Sequence, residues 1–589
     1  MAFGNYSQKK QSPQKKYYNR NQNKGGSNVK NVKAVAPYNF IPLNEKVVYS
    51  QWEWNNIPGF QSYSKDKLSG EIKVTIQTIT PVFIRGMKKR IEDEKQKNSE
   101  FYKINENAAI PGTSLRGLTR NMLEIISFGK FNNFEDKTLF YRGLADISSL
   151  RKEYNINMSS VDGKSIKYKF NAGYLQKNGF DYQIIPAVKN ENNVQFERFK
   201  MDNSEKKLKF TFFKQPDGSF KVFSGPMGNK KKGWLIYKPD YNTKAITIPE
   251  EDIESYKLDF ENKVQSDKSE NLLEKCKNTN IVPCFYVRWK DSKEKDRVAF
   301  GHTGFFRLAY NKSIDDHVPQ FLKKTDKPDM SEAIFGDTEH IASRVAFEDA
   351  NFVGDKNNCF EQTTSPKILS SPKPTTFQHY LEQPEGLKTP KNKLNHWNRN
   401  TSIRGHKLYW HKAKASWSEG KIVNDTQHTI ITPIKKDATF EGLIRFENLT
   451  EVELGALLVA LELKENLCHK IGMAKPLGLG SIKIKPTLKL IDRHSEKGRY
   501  TSLFSTDHWH TAQNTEKDHK QYVQKYEKYI CEKLGKKDAS LWETERMQEL
   551  KEMLDWEKTS IPGWNNKTDY LQLAEFKNRS VLPKPSEVK

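Results

Sequence analysis

Two stretches with the same grammar lie far apart in this chain, and together they restrict its fold more than any other feature. From Gly70 to Thr80, GEIKVTIQTIT places Ile72, Val74 and Ile76 on one side and Lys73, Thr75 and Gln77 on the other. That two-residue period is the mark of a half-buried strand. A charged loop (Arg85–Asn98) follows, and then PGTSLRGLTRNMLEII, in which Leu115, Leu118, Met122 and Ile126 recur at helical spacing behind a Thr113 or Ser114 cap. Much later Ala438–Phe446 (ATFEGLIRF) again reads as a strand, and Thr450 with Glu453 forms a capping box. The helix it opens has Leu454, Leu457, Leu458 and Leu461 on its core face, and Ser481–Lys485 (SIKIK) closes the unit as a strand. A βα unit early and a βαβ unit late predict an α+β fold with one ferredoxin-like, RRM-type sheet whose halves are separated in sequence.

The remaining chain divides around that core. Residues 1–33 hold eight Lys/Arg and no acid among Asn, Gln, Ser and Gly, a composition that cannot bury enough apolar surface to fold alone. It serves either as a solubilising tail or as a flexible arm for nucleic acid. Residues 34–130 are the first part of the core. Residues 131–330 form a large insertion or a second small module, in which Lys207–Ser224 is a hairpin turning at Asp217-Gly218. Residues 331–490 return to the core, and 491–589 form a helical C-terminal region with a second capping box at Ser540 and Glu543.

Charge narrows the partners. The chain of 589 residues carries 98 Lys+Arg against 73 Asp+Glu, a net charge of +25. Such an excess favours a polyanionic partner and says nothing of fold. No apolar run approaches the ~20 residues of a membrane span, and MAFGNYSQKK lacks the apolar stretch of a signal peptide. Five scattered cysteines form no CxxC pair and suit a reducing compartment, so a cytoplasmic protein is expected, with no membrane association. Cys276 and Cys284, eight apart with no histidine pair nearby, do not read as a zinc site.

Three stretches offer phosphate chemistry. Between the late helix and strand, HKIGMAKPLGLGS sets Gly472, Gly478 and Gly480 beside Lys470 and Lys475. Glycines permit close main-chain approach and lysines supply charge, although a tight turn is the commoner meaning of such a loop. Arg116 and Arg120 sit four apart near a helix N-terminus with Ser114, where anions are attracted; the plain alternative is a solvated helix face. From Gly386 to Ser418 there are eight Lys/Arg and no acid, interleaved with Trp397, Tyr409, Trp410 and Trp417. There Arg404 and Lys407 would meet phosphates, and Trp397, Tyr409 or Trp410 would stack on bases at ~1–3 kcal/mol each.

Taken together, the ordered pieces resemble the RAMP superfamily of CRISPR-associated proteins, the RRM-like subunits of type III effector complexes. They are GEIKVTIQTITP, IPGTSLRGLTRNMLEI, EAIFG (Glu332–Gly336), SRVAFEDA (Ser343–Ala350), and FEGLIRFENLTEVELGALLVAL followed by IGMAKPLGLGSIKIK. Two more, GHTGFFRLAYNKSIDDHVP (Gly301–Pro319) and RGHKLYWHK (Arg404–Lys412), look like segments of a longer subfamily. The resemblance implies a backbone subunit that holds CRISPR guide RNA between its sheet and glycine loop, meets target RNA and neighbouring effector subunits, and needs no cofactor. Arg85, Lys88 and Lys89 join the expected RNA contacts. It also implies an alternative: an endoribonuclease that cuts target RNA or processes guide RNA. In cutting relatives an aspartate lies in the loop after the first strand, and here Asp93 is the only one there. Such a reaction would call on Mg2+ or Mn2+. Guide-processing relatives use a histidine, for which His302, His406 and His411 are candidates. Asp349, within SRVAFEDA, reads as a residue that caps or turns the chain.

Overall fold

The computed structural model describes residues 34–589 except 62, 65, 87–97, 145, 163–164, 226–230, 262–270, 291–293, 370–372, 424, 426, 492–512, 517, 538 and 573–574. Its principal sheet draws on both halves of the sequence. Strands β1 (Leu68–Thr78), β2 (Lys103–Ile104), β3 (Asn107–Ile110), β4 (Ala350–Val353), β5 (Thr439–Leu449), β6 (His469–Lys470) and β7 (Ser481–Ile491) lie side by side in the order β6-β7-β1-β5-β4-β3-β2. β1 is central and antiparallel to both neighbours, with Ile72 opposite Ile444 on one side and Leu488 on the other. With helices α1 (Gly112–Ile126) and α2 (Glu451–Leu461), the chain runs β1-α1-β4-β5-α2-β7 and the strands stand as β7-β1-β5-β4. That is the ferredoxin-like βαββαβ arrangement the sequence predicts.

The alternation of β1 decides which way the sheet faces. Ile72, Val74 and Ile76 are buried under the helices, while Lys73 and Gln77 stand in solvent. α2 is buried along nearly its whole length because the sheet lies on one side of it and α3 (Lys520–Lys533) on the other. A Cβ at Gly455 would sit 2.0 Å from the Tyr522 carbonyl oxygen, so only glycine lets these two helices approach this closely. The predicted capping box forms: Glu453 N–H donates to Thr450 Oγ1 at 3.1 Å and Thr450 N–H donates to the Glu453 carboxylate at 2.8 Å. Glu453 also meets buried Arg344, whose guanidinium donates in addition to the carbonyls of Ala333 and Asn448.

Two expected caps are replaced. Neither Thr113 nor Ser114 caps α1, which starts at Gly112 behind Pro111. The Gly112 N–H instead donates to Asp349 Oδ1 at 2.6 Å, and Tyr102 donates its hydroxyl to the other carboxylate oxygen. The SRVAFEDA aspartate therefore caps a helix from the start of the neighbouring strand, the capping role expected for it. At the other end Ser540 makes no side-chain cap; Leu541–Glu543 forms a short 3-10 turn and α4 (Glu545–Leu554) begins beyond Thr544.

Packing cuts across the sequence partition. Residues between Tyr141 and Tyr310 build a second core around Tyr174, Phe196, Trp234 and Phe285. It carries an antiparallel sheet of five strands and another of four, the latter including the predicted hairpin with Gly218 at φ +83°. Phe377, Leu381, Leu394 and Trp397 join this second core, although they lie in the stretch assigned to the first. Tyr526, Ile530, Leu550 and Trp564 of the C-terminal region join the first core. All five cysteines are buried and unpaired. Among the described residues no helix is long and apolar enough to cross a membrane.

Candidate nucleic-acid interface

β6 and β7 are joined by the glycine-rich loop, with His469 opposite Ile482 and Lys470 opposite Ser481. The loop reverses through four left-handed residues, Gly472 (φ +80°), Ala474 (+56°), Gly478 (+110°) and Gly480 (+85°). It is tied down along the segment that follows β1: Gly480 N–H donates to Pro81 O at 2.9 Å, and Met473 N–H to Phe83 O at 2.8 Å. A Cβ at Gly480 would lie 1.9 Å from Ile471 O. The N–H groups of Ile471, Met473, Leu477, Gly478 and Gly480 all bond within the protein. The glycines give the loop its left-handed turns, and its lysines add charge. Arg85 is exposed two residues beyond Phe83, close in the chain to the segment that holds the glycine loop.

The lysines gather where distant segments meet. A Cβ on Gly478 would touch Ala415 Cβ at 2.8 Å and Lys412 Cβ at 3.2 Å, so the loop lies against the basic stretch. His411, fully buried, bonds Ser481 Oγ through Nδ1 (2.8 Å) and Cys468 O through Nε2 (3.1 Å). Trp564 Nε1 donates to His411 O at 2.9 Å, adding the C-terminal region. Lys470 Nζ reaches Gly478 O at 3.5 Å and Ser481 Oγ at 3.4 Å.

Burial, reinforced by the positive charges of Lys412 and Lys475, pulls the Lys470 ammonium down to about 7. Lys475 is lowered by burial, and Lys412 by burial and by Lys367. The one carboxylate ion-paired with this group among the described residues is Asp569, 3.9 Å from Lys412 Nζ and itself well exposed. Of these four cations, Lys412 alone is ion-paired among the described residues. Like charges pressed together in a partly desolvated place are costly and mark functional sites.

Tyrosines flank the cluster. Lys475 Nζ lies 5.9 Å from the Tyr409 ring, which is half-buried, and Tyr570 is 39% exposed nearby. Lys407 is caged: its Nζ sits 4.0 Å over Tyr38, donates to Tyr380 OH at 3.0 Å, and is brought down to about 8 by burial.

Other expected contacts go to the interior. Trp397 and Trp410 are each 2% exposed, Trp410 packing edge-on against Trp564, because both indoles fill cores. Of the aromatic residues of this stretch, Tyr409 and Trp417 stay half-buried. The Arg404 guanidinium is buried and donates to Leu582 O and Pro583 O. On α1, half-buried Arg116 donates to Phe335 O at 2.8 Å and lies over that ring, while Arg120 pairs with Glu124 at 3.0 Å. Ser114 is half-buried in the first turn. His406 packs edge-on against Phe131 and burial drives it well below the usual imidazole range; His302 lies 4.9 Å from Phe210, in the second core. Lys88, Lys89 and Asp93, like the basic tail, lie outside the described residues. Sequence reasoning missed Lys367, Lys412, Asp569 and Tyr570 as site residues: they come from three separate segments, and only Lys412 stands within a stretch whose composition marks it.

Comparison with known proteins gives one family. A model of the RAMP superfamily matches residues 260–483, a span holding β4, β5, α2, β6 and the glycine loop. Among curated proteins none matches. A chain in the solved structure titled "Cryo-EM structure of the Type III-B Cmr-beta bound to cognate target RNA" is 9% identical, with 71% of this chain and 98% of that chain covered at a TM-score of 0.19. So loose a superposition carries no argument about function. The family match covers the later half of the ferredoxin-like core and its loop, and over those residues the chain is similar to the RAMP superfamily.

Proposed function

We propose that this protein is an RNA-binding backbone subunit of a type III CRISPR effector complex and holds guide RNA against the glycine-loop edge of its sheet. The observation that carries the reading is the concentration of Lys367, Lys412, Lys470 and Lys475, of which only Lys412 has an acid beside it among the described residues, next to Tyr409 and Tyr570. A phosphate backbone supplies the missing negative charge, and tyrosine faces accept bases without reading their sequence. The family match supplies the CRISPR context, and target RNA and neighbouring subunits are partners implied by it. The subunit acts as a scaffold in this reading.

The test is guide-RNA affinity against salt. For single strands the log–log slope is ~0.7 for each phosphate that the protein neutralises. Lys470→Met with Lys475→Met is expected to flatten the slope by about 0.7 to 1.4, the share of one to two phosphates, and to weaken all sequences alike. An unchanged slope would remove this edge from the RNA path. In the same complex supplied with Mg2+ or Mn2+, cutting of guide-paired RNA that disappears in Asp93→Asn, with binding intact, would replace the scaffold by the endoribonuclease.

A further inference from the structure

The second core contains a cavity that RNA contact at the glycine loop leaves unused. It lies between the helix Glu250–Glu261, the strand Asp296–Gly301 and the two-stranded ribbon Thr138–Tyr141/Leu308–Ser313, and encloses about 320 Å3. Cavities of ~300–1,000 Å3 are the size class that takes small organic ligands. The segment Gly301–Pro319 forms one wall with Gly301, His302, Thr303, Phe306 and Arg307.

Its lining has two chemistries. One is flat and aromatic: Tyr256 stacks on Phe300 with centroids 4.5 Å apart and planes 12° from parallel. That wall is held firmly, since Asp252 accepts from the Arg297 guanidinium and from Val298 N–H at 2.7 Å, and Leu272 N–H donates to Tyr256 OH at 3.0 Å. The other is cationic. The ribbon pairs Tyr141 with Leu308, so Arg142 and Arg307 stand at adjoining positions one step beyond, on the cavity side with Phe140 and Ala309. Arg307 pairs with Asp259 at 3.0 Å. Arg142 is exposed and has no ion-pair or hydrogen-bond partner among the described residues.

We infer that this cavity is a nucleotide site, taking a base against the Tyr256–Phe300 wall and its phosphate at Arg142, with Arg307 beside it. An aromatic ring joined to an anion satisfies both sides at once; an apolar ligand leaves Arg142 unpaired, and a bare phosphate leaves the aromatic wall wet. The same chemistry is presented by a free mononucleotide and by one nucleotide of a bound RNA. The site is independent of the lysine cluster, so each stands or falls alone.

The experiment uses the full chain. By calorimetry, 5′-AMP and 5′-UMP are expected to bind, with adenosine and inorganic phosphate each weaker by about tenfold or more, the worth of a charge-assisted hydrogen bond. Arg142→Ala should bring 5′-AMP down to the level of adenosine and leave adenosine itself unchanged, a pattern that misfolding does not produce. In parallel, a single-stranded RNA carrying 4-thiouridine is cross-linked and the labelled peptides mapped. Labelling of the Tyr256 peptide that Arg142→Ala reduces and Lys470→Met spares assigns the site to RNA. Mononucleotide binding without that labelling assigns it to a free nucleotide. If neither mononucleotide binds at millimolar concentration and Arg142→Ala leaves the labelling unaltered, the inference is overturned.

Discussion

The arginines of α1 and the lysines of the glycine-loop edge invite the same reading in sequence, as pairs of cations beside glycines, yet the fold treats them oppositely. Arg116 gives its hydrogen bond to the Phe335 carbonyl and lies on that ring, and Arg120 pairs with Glu124. Their charge is answered within the protein. Lys412, Lys470 and Lys475 are pushed together, and only exposed Asp569 answers them among the described residues. A cation's prospects as a phosphate contact depend on what already satisfies it. The helix pair is satisfied within the fold, and the loop cluster is the one proposed to bind.

Four measurements would break or sharpen this division. The largest effect is expected at Glu124, which burial, with the negative charge of Asp329, lifts to about 7 against the assistance of Arg120. The folded state then holds a proton that the unfolded chain releases near its ordinary carboxylate value, so stability is fully present below about pH 4.5 and falls as the pH rises through 7. Relative to wild type, Glu124→Gln should gain about 2–3 kcal/mol between pH 4.5 and 8 in chemical denaturation. A constant difference across that range would place Glu124 in water.

Next in size, Arg116→Ala should cost about 1.5 kcal/mol of stability through the orphaned Phe335 carbonyl, with the salt slope of RNA binding unchanged. A slope that flattens in this variant would put α1 back on the RNA path. Smaller again is the pH dependence of RNA binding. Because Lys470 is held near 7, RNA must return a proton to it above that pH, so affinity is expected to drop by up to about tenfold from pH 6.5 to 8. Lys470→Met should be weaker throughout and lose that slope; a wild type indifferent to pH would mean that Lys470 stays charged in the free protein. The smallest effect is on melting temperature. At pH 6 Lys470→Met should raise it by a degree or more, since removing one of several crowded cations relieves repulsion, whereas a fall would show Lys470 to be part of the packing.

Local pattern carried the core of the fold well. The alternation of Ile72, Val74 and Ile76, the Thr450–Glu453 box and the Asp217-Gly218 turn all depend on residues within a few positions of each other, and they form as their spacing predicts. The misread caps fail for the complementary reason. Asp349 displaces Thr113 and Ser114 at the start of α1 from far away in the chain. Trp397 and Trp410 look like stacking faces in a basic stretch, but a large apolar surface goes to whichever core can enclose it, and nothing nearby in sequence says which.

The sequence by itself determined the kind of sheet, its inward face and the presence of a glycine-bearing turn before the last strand, because period and capping are short-range properties of the backbone. Only the tertiary structure decided which cations remain unanswered. Lys367, Lys412, Lys470, Lys475 and Asp569 come from four separate segments, and Arg142, without an ion pair among the described residues, stands beside Arg307 only because two strands far apart in the chain pair as a ribbon. Coulomb interactions and desolvation act through space, so they are settled when the chain has closed and not before.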